Sequence, residues 1–304
     1  MTTGGPGDPR PSRNQRRDAA RTKAAQLRVK QKKRDRRNRV VLQGSIAVVG
    51  LAVVAVIVLI IVNSVRPAGP GPSNMASDGL LIGEGLAAVT TPALQPDEEP
   101  TATVPDGSGT VADIRVYLDY LCPFCGSFEL TNSEQISQWV ESGAATVEVH
   151  PISILTSKSA GTQYSLRAAN AAACVADSSP NDFLAYNQIL FENQPVEGTA
   201  GLSDEDLIGL VDEAGVSENV PAITECIAET SFKSWVLAAT ERALSGPIPN
   251  SSLEKITGTP TVLVNGKQYV GSLEDPKEFA AFVLQAASET YSTSTPTPAP
   301  EPVG

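Results

Sequence analysis

An α/β domain with an inserted block of helices, mounted behind a single membrane-spanning helix, is the architecture the sequence predicts. Three observations carry it. Residues 40–62 (VVLQGSIAVVGLAVVAVIVLIIV) run without a charge. Farther on, periodicity gives the order strand–helix–strand, a run of helices, then a hairpin and a last helix. The charge also changes sign along the chain: residues 1–39 hold 14 Lys and Arg against three acids, while the rest of the 304-residue chain holds 9 basic and 31 acidic side chains.

At 1.5 Å per residue the 23 uncharged residues reach about 34 Å, enough to cross a hydrocarbon core of about 30 Å. A cleaved signal peptide would have a shorter apolar region, a short basic region and a small-x-small site after it. Here 39 residues precede the run, so an uncleaved anchor is expected. The positive-inside rule places residues 1–39 in the cytoplasm and everything after Val62 outside it, which makes the chain a single-pass protein of the cell membrane. The basic arm has no aromatic residue on which a base could stack. It is read as lying against anionic headgroups of the bilayer, with no nucleic acid expected as a partner.

Residues 63–76, rich in Pro and Gly, read as a flexible linker, and residues 77–291 as one domain. Residues 292–304 (STSTPTPAPEPVG) offer little to bury and are expected to be a disordered tail. Within the domain, Leu80–Ile82 and Ile114–Leu118 read as strands. A helix is expected from Cys122 to about Trp139, and Ala145–Ile152 is a further strand. Helices follow at about Ser159–Val175, Asp182–Glu192, Ser203–Ala214 and Pro221–Leu244, forming a helical insertion over about 155–246. Ser203 and Asp206 make a capping-box pattern at the start of the third. Thr261–Val264 and Lys267–Val270 flank Asn265-Gly266, a strong hairpin-turn signal. Asp275 as N-cap, Pro276 at the first helical position, and Phe279, Phe282, Val283 and Ala286 on one stripe define the last helix.

The chemistry concentrates at Cys122-Pro123-Phe124-Cys125. A thiolate attacks disulfides, and an ordinary Cys of pKa about 8.5 is only about 3% ionised at pH 7. Placing Cys122 where a helix begins aims unpaired backbone N–H groups and the positive dipole end at its sulfur. Cys125, one turn on, can close a disulfide with it. Pro123 suits the first helical position because its missing N–H has no partner there anyway.

Asp119-Tyr-Leu-Cys122-Pro-Phe-Cys125 after a strand, an inserted helical block, and Gly258-Thr259-Pro260-Thr261 before a hairpin together resemble the thioredoxin superfamily. Within it they resemble the DsbA-like branch of extracytoplasmic thiol:disulfide oxidoreductases. The resemblance spans roughly 110–291. It implies a four- or five-stranded sheet flanked by helices, a cis proline facing the thiol pair, and a peptide groove between them. Pro260 matches that proline and Thr259 the residue before it; with Pro123 and Phe124 they are the expected substrate-binding residues. Many relatives carry an acid six residues before the first Cys, where this chain has Val116. Asp119 or a water is left as the proton relay for Cys125.

Zinc would need Cys174, Cys226 or His150 beside the Cys122/Cys125 pair, and none of these has paired ligand spacing, so neither metal nor other cofactor is expected. His150, followed by Pro151 in a strand, reads as structural. Cys174 and Cys226 both fall in the helical block. In an oxidising compartment they are expected to pair as a structural disulfide, the other reading being two buried free thiols. The function expected is a membrane-tethered enzyme oxidising the thiols of exported, cysteine-containing proteins. Its expected redox partner is a membrane quinone-linked reoxidase of the DsbB or vitamin K epoxide reductase-like kind. A reductase or isomerase of the same fold, or a non-catalytic membrane-anchored peptide-binding module, are the alternatives.

Overall fold

The computed structural model describes residues 21–34, 69–96 and 98–294, with scattered positions between 36 and 54. The chain divides after Pro67 into two units. In the first, residues 21–34 form helix α1, fully exposed along its length. The expected span at 40–62 lies for the most part outside the described residues. No helix among the described residues is long and apolar enough to cross a membrane.

The second unit is built on β1 (Leu80–Gly83), β2 (Ala87–Ala88), β3 (Ala112–Leu118), β4 (Ala145–Pro151), β5 (Thr261–Val264) and β6 (Lys267–Gln268). They form one six-stranded sheet in the order β2-β1-β4-β3-β5-β6, larger than the four or five strands expected. β3 and β4 pair in parallel and the remaining neighbours antiparallel. All seven residues of β3 are buried, the mark of a central strand covered on both sides. Helices α2 (Pro123–Glu141) and α8 (Pro276–Ser294) pack together on the sheet, with Phe128 and Phe279 edge to face at 5.2 Å between ring centres. The β5–β6 turn has Asn265 and Gly266 both at positive φ, as a two-residue hairpin of matching twist requires.

Alternation along β3 separates two environments. Val116 joins Val147, Val149, Ile136 and Glu129 around a cavity of about 200 Å3. Arg115 and Tyr117 point the other way. There Arg115 Nε lies 2.8 Å from Glu148 Oε2, Ser77 and Thr103 donate hydroxyls to Glu148, and the His150 ring stacks on Tyr117 at 4.3 Å. Despite burial, His150, Arg115 and Ser77 hold the Glu148 carboxyl well below the usual range. His150 is thus part of the sheet's polar underside.

Between β4 and β5 lie α3 (Tyr164–Ser178), α4 (Phe183–Glu192), α5 (Asp204–Glu213), α6 (Val220–Glu229) and α7 (Lys233–Ser245). Ser203 and Asp206 form the capping box that opens α5. The single helix expected over Pro221–Leu244 is two. Thr230 takes a left-handed conformation, and the Phe232 N–H, instead of continuing a helix, donates to Asn170 Oδ1 of α3 at 2.8 Å. α3 starts at Tyr164 and not Ser159, because the Ser159 hydroxyl accepts from Tyr164 N and ends a short 3-10 turn. The linker expected at 63–76 is packed from Gly71 onward: Met75 is fully buried and Asn74 Nδ2 donates to the Ala176 carbonyl. Ser292 to Ser294, expected in the disordered tail, are helical: α8 runs to Ser294, with the Ser292 and Thr293 hydroxyls bonding back to Glu289. Residues 295–304 lie outside the described residues.

Candidate active site

β3 ends at Leu118 in the middle of the sheet, and the chain turns through Asp119-Tyr120-Leu121 into α2. Cys122 is the N-cap of α2 and Pro123 occupies its first position. The Cys122 carbonyl accepts the Cys125 and Gly126 N–H groups at 3.0 and 3.2 Å, closing the first turn beneath the sulfur. Cys122 and Cys125 are both free thiols; Cys122 retains 5% of its surface, Cys125 none. Pro123 and Phe124 stand exposed beside them, Phe124 at 66%.

The Thr259–Pro260 peptide bond is cis. Its carbonyl side faces the pair, the Cys122 thiol donating to Thr259 O at 3.1 Å. Thr259 Oγ1 is buried. The Cys122 thiol is drawn down to about 6, first by a hydrogen bond from the Cys125 thiol, with the Thr259 side chain and the Cys125 and Phe124 N–H groups adding to it against the cost of burial. Cys125 is pushed well above the ordinary thiol value by burial and by the neighbouring Cys122. One sulfur is thus built to be a thiolate and the other a thiol.

Asp119 is fully buried, and three donors occupy its carboxylate: Leu121 N on one oxygen, Leu155 N and the Ser165 hydroxyl on the other, all within 2.9 Å. Burial raises its pKa to about 6. Its backbone serves the thiols directly, the N–H lying 3.5 Å from Cys125 Sγ and the carbonyl accepting the Cys122 N–H at 2.9 Å. Asp119 therefore ties the redox turn to the helical insertion at α3.

Two polar side chains at the site escaped the sequence reading. Glu129, four residues after Cys125 and so on the same face of α2, is buried, and burial raises its pKa to about 7. Its Oε2 accepts from Asn187 of α4, whose Oδ1 accepts the Tyr120 phenol, both at 2.9 Å. An acid spaced one turn from Cys125 on the buried face of α2 is the signal for it. Gln194, just past the end of α4, donates its amide to the carbonyls of Tyr120 and Cys122 at 3.0 and 2.9 Å. No sequence feature distinguishes it from any other loop glutamine.

Cys174 of α3 and Cys226 of α6 are joined in a disulfide, with Cα atoms 5.8 Å apart. It staples the insertion internally and is separate from the Cys122/Cys125 pair. Among the described residues no group of three or more His, Cys, Asp and Glu is arranged to hold a metal ion.

The family pattern described as thioredoxin matches residues 110–284, more than half of the chain. Among solved structures, the reduced disulfide bond oxidoreductase DsbG of Mycobacterium tuberculosis is similar at 27% identity and a TM-score of 0.50, covering 76% of this chain and 97% of its own. The oxidised DsbA of the same organism is similar at 28% identity and a TM-score of 0.50, covering 71% of this chain and all of its own. No curated protein sequence matches. Strands β3 to β6 and the helical insertion lie within the matched residues, and the chain belongs to the thioredoxin family.

Proposed function

We propose that this chain oxidises the thiols of exported proteins, outside the cytoplasm and tethered to the membrane by residues 40–62. Its broader activity is that of a thiol:disulfide oxidoreductase. The observation that carries the proposal is the placement of Cys122 as N-cap of α2, its thiol 3.1 Å from Thr259 O, with the fully buried Cys125 one turn on. A thiolate stabilised at Cys122 stabilises the reduced dithiol, which makes the corresponding disulfide a stronger oxidant.

In the forward direction a substrate thiolate attacks Cys122 Sγ of the Cys122–Cys125 disulfide. A substrate–Cys122 bond forms, and Cys125 departs as a thiolate that takes up a proton, as its raised pKa demands. A second substrate thiolate then attacks the substrate sulfur of the mixed disulfide. Cys122 departs as the stable thiolate, leaving an oxidised substrate and a reduced enzyme, with two electrons transferred. Phe124 and Pro123 offer apolar surface to the substrate beside Cys122, and the Thr259–Pro260 segment offers backbone groups to an extended peptide. A membrane quinone-linked oxidase of the DsbB-like or vitamin K epoxide reductase-like kind is the proposed acceptor of the two electrons. The uncharged run at 40–62 and the basic segment before it support the tether and its orientation.

The test is oxidation of a reduced, unfolded cysteine-containing protein by the full-length chain, with Cys122→Ser as control, together with the redox state of the pair in cells. Oxidation lost in Cys122→Ser, and a pair found mostly oxidised, support the proposal. A pair found mostly reduced assigns the chain a reductant role, and activity unaffected by Cys122→Ser ends the enzyme reading.

A further inference from the structure

Two side-chain amides of the helical insertion grip the redox turn. Asn187 takes the Tyr120 phenol, and Gln194, seven residues on, takes the Tyr120 and Cys122 carbonyls. Both Gln194 contacts come from a single nitrogen, Nε2, so the two N–H bonds of one planar amide are committed to two carbonyls on either side of Leu121. One of those carbonyls is the N-cap carbonyl on which the first turn of α2 hangs.

We propose that Gln194 is a positioning residue for thiol exchange: by fixing the Cys122 carbonyl it holds the Phe124 and Cys125 N–H groups, which that peptide orients, on the Cys122 sulfur. This rests on the reading of the Cys122/Cys125 pair as the site of exchange.

Gly126 supplies the independent observation. A methyl group at that position would stand 2.4 Å from Gln194 Oε1 and 3.2 Å from its Cδ, so the amide lies directly against the α2 backbone and needs the missing side chain to do so. Gly126 has ordinary helical φ, and a glycine inside a helix is less favourable there than alanine. No backbone conformation asks for glycine here; the amide does. The arrangement also crosses the chain, over 72 residues from Gln194 to Cys122, and so joins the insertion to the turn that carries the chemistry.

The experiment reads the Cys122 thiolate by its ultraviolet absorbance against pH, in full-length protein with Cys125 reduced, for wild type, Gln194→Ala, Gly126→Ala and the double variant. Gln194→Ala removes both donors, while Gly126→Ala leaves Gln194 in the sequence and pushes its amide away. The expected result is a rise of the Cys122 midpoint by about one pH unit in each single variant, equivalent to about tenfold less thiolate at a fixed pH below the midpoint. The double variant should show no further rise. The disulfide–dithiol equilibrium against glutathione should shift toward the oxidised enzyme in the same variants.

Thermal unfolding of the same samples separates positioning from folding. Gly126→Ala adds helix propensity, so a raised midpoint with unimpaired stability is a result that a merely structural role does not give. If Gln194→Ala fails to fold, Gly126→Ala and Gln194→Glu, which keeps the shape but turns both donors into acceptors, carry the test. An unchanged midpoint in the folded variants, with wild type exchanging thiols normally, overturns the assignment of Gln194 and leaves the proposed function standing. A wild type that exchanges no thiols overturns both.

Discussion

Cys122 and Cys125 sit one helical turn apart and titrate in opposite directions, Cys122 down to about 6 and Cys125 well above the ordinary thiol value. The largest single cause on Cys122 is the Cys125 thiol itself. Replacing Cys125 with Ser substitutes another hydroxyl-type donor, whereas Cys125→Ala removes the donor. Alkylation of wild type should therefore reach half its maximal rate near pH 6 and mark Cys122 alone, and Cys125→Ala should move that midpoint upward. Peptide mapping after alkylation checks both. A Cys125 alkylated as fast as Cys122 would contradict the assignment.

Glu129 gives a pH dependence of stability with a definite sign. Its pKa in the folded protein, about 7, lies above the ordinary glutamate value of 4.5. The contribution is fully present below about pH 4.5 and is lost as pH rises to about 7, because over that window the unfolded chain releases a proton that the folded one retains. Around it, the facing polar groups are Asn187 of α4 and, behind that, Tyr120. Glu129→Gln should flatten this slope, gaining about 1–3 kcal/mol over wild type at pH 8 relative to the same comparison at pH 5. Urea unfolding at the two pH values measures it.

The underside of the sheet should respond to truncation much more strongly than the surface does. Arg115 and Glu148 are both almost fully buried. Glu148→Ala leaves the Arg115 guanidinium without its carboxylate and should cost about 3–5 kcal/mol. Lys267→Ala, at the exposed Lys267–Glu289 pair, should cost under about 1 kcal/mol. Chemical denaturation of the two variants side by side tests the contrast.

Opening the Cys174–Cys226 bond should weaken the fold without touching the chemistry. The bond closes a separation of 52 residues, which on the chain-entropy account corresponds to about 4 kcal/mol. In the Cys174→Ala/Cys226→Ala variant, stability is expected to fall by up to that amount while the Cys122 thiolate midpoint stays where it was. A midpoint that moved with the stability would tie the insertion's staple to the active site.

Local chemistry made much of this protein readable. Pro123, Asp275 with Pro276, the Ser203/Asp206 box and Asn265-Gly266 each fix a boundary through their own backbone preferences, and each boundary falls where those preferences put it. What escaped depends on partners distant in sequence. The break at Thr230 is decided by Asn170, sixty-two residues from the N–H it accepts, and no periodicity within 221–244 announces it. Met75 looks like part of a spacer until the core it fills is assembled. At the site the thiols were legible because Cys-Pro-Phe-Cys is contiguous. Gln194 was not, because the two carbonyls it binds are brought to it only by the fold.

Cys174 has no exposed surface, and Cys226 is partly buried. A catalyst that trades sulfur–sulfur bonds shares its compartment with every copy of itself, and a substrate-like disulfide on its own surface would invite attack from a neighbour's Cys122. With Cys174 fully buried and Cys226 only partly reachable, the bond between α3 and α6 is shielded from that reaction on its Cys174 side.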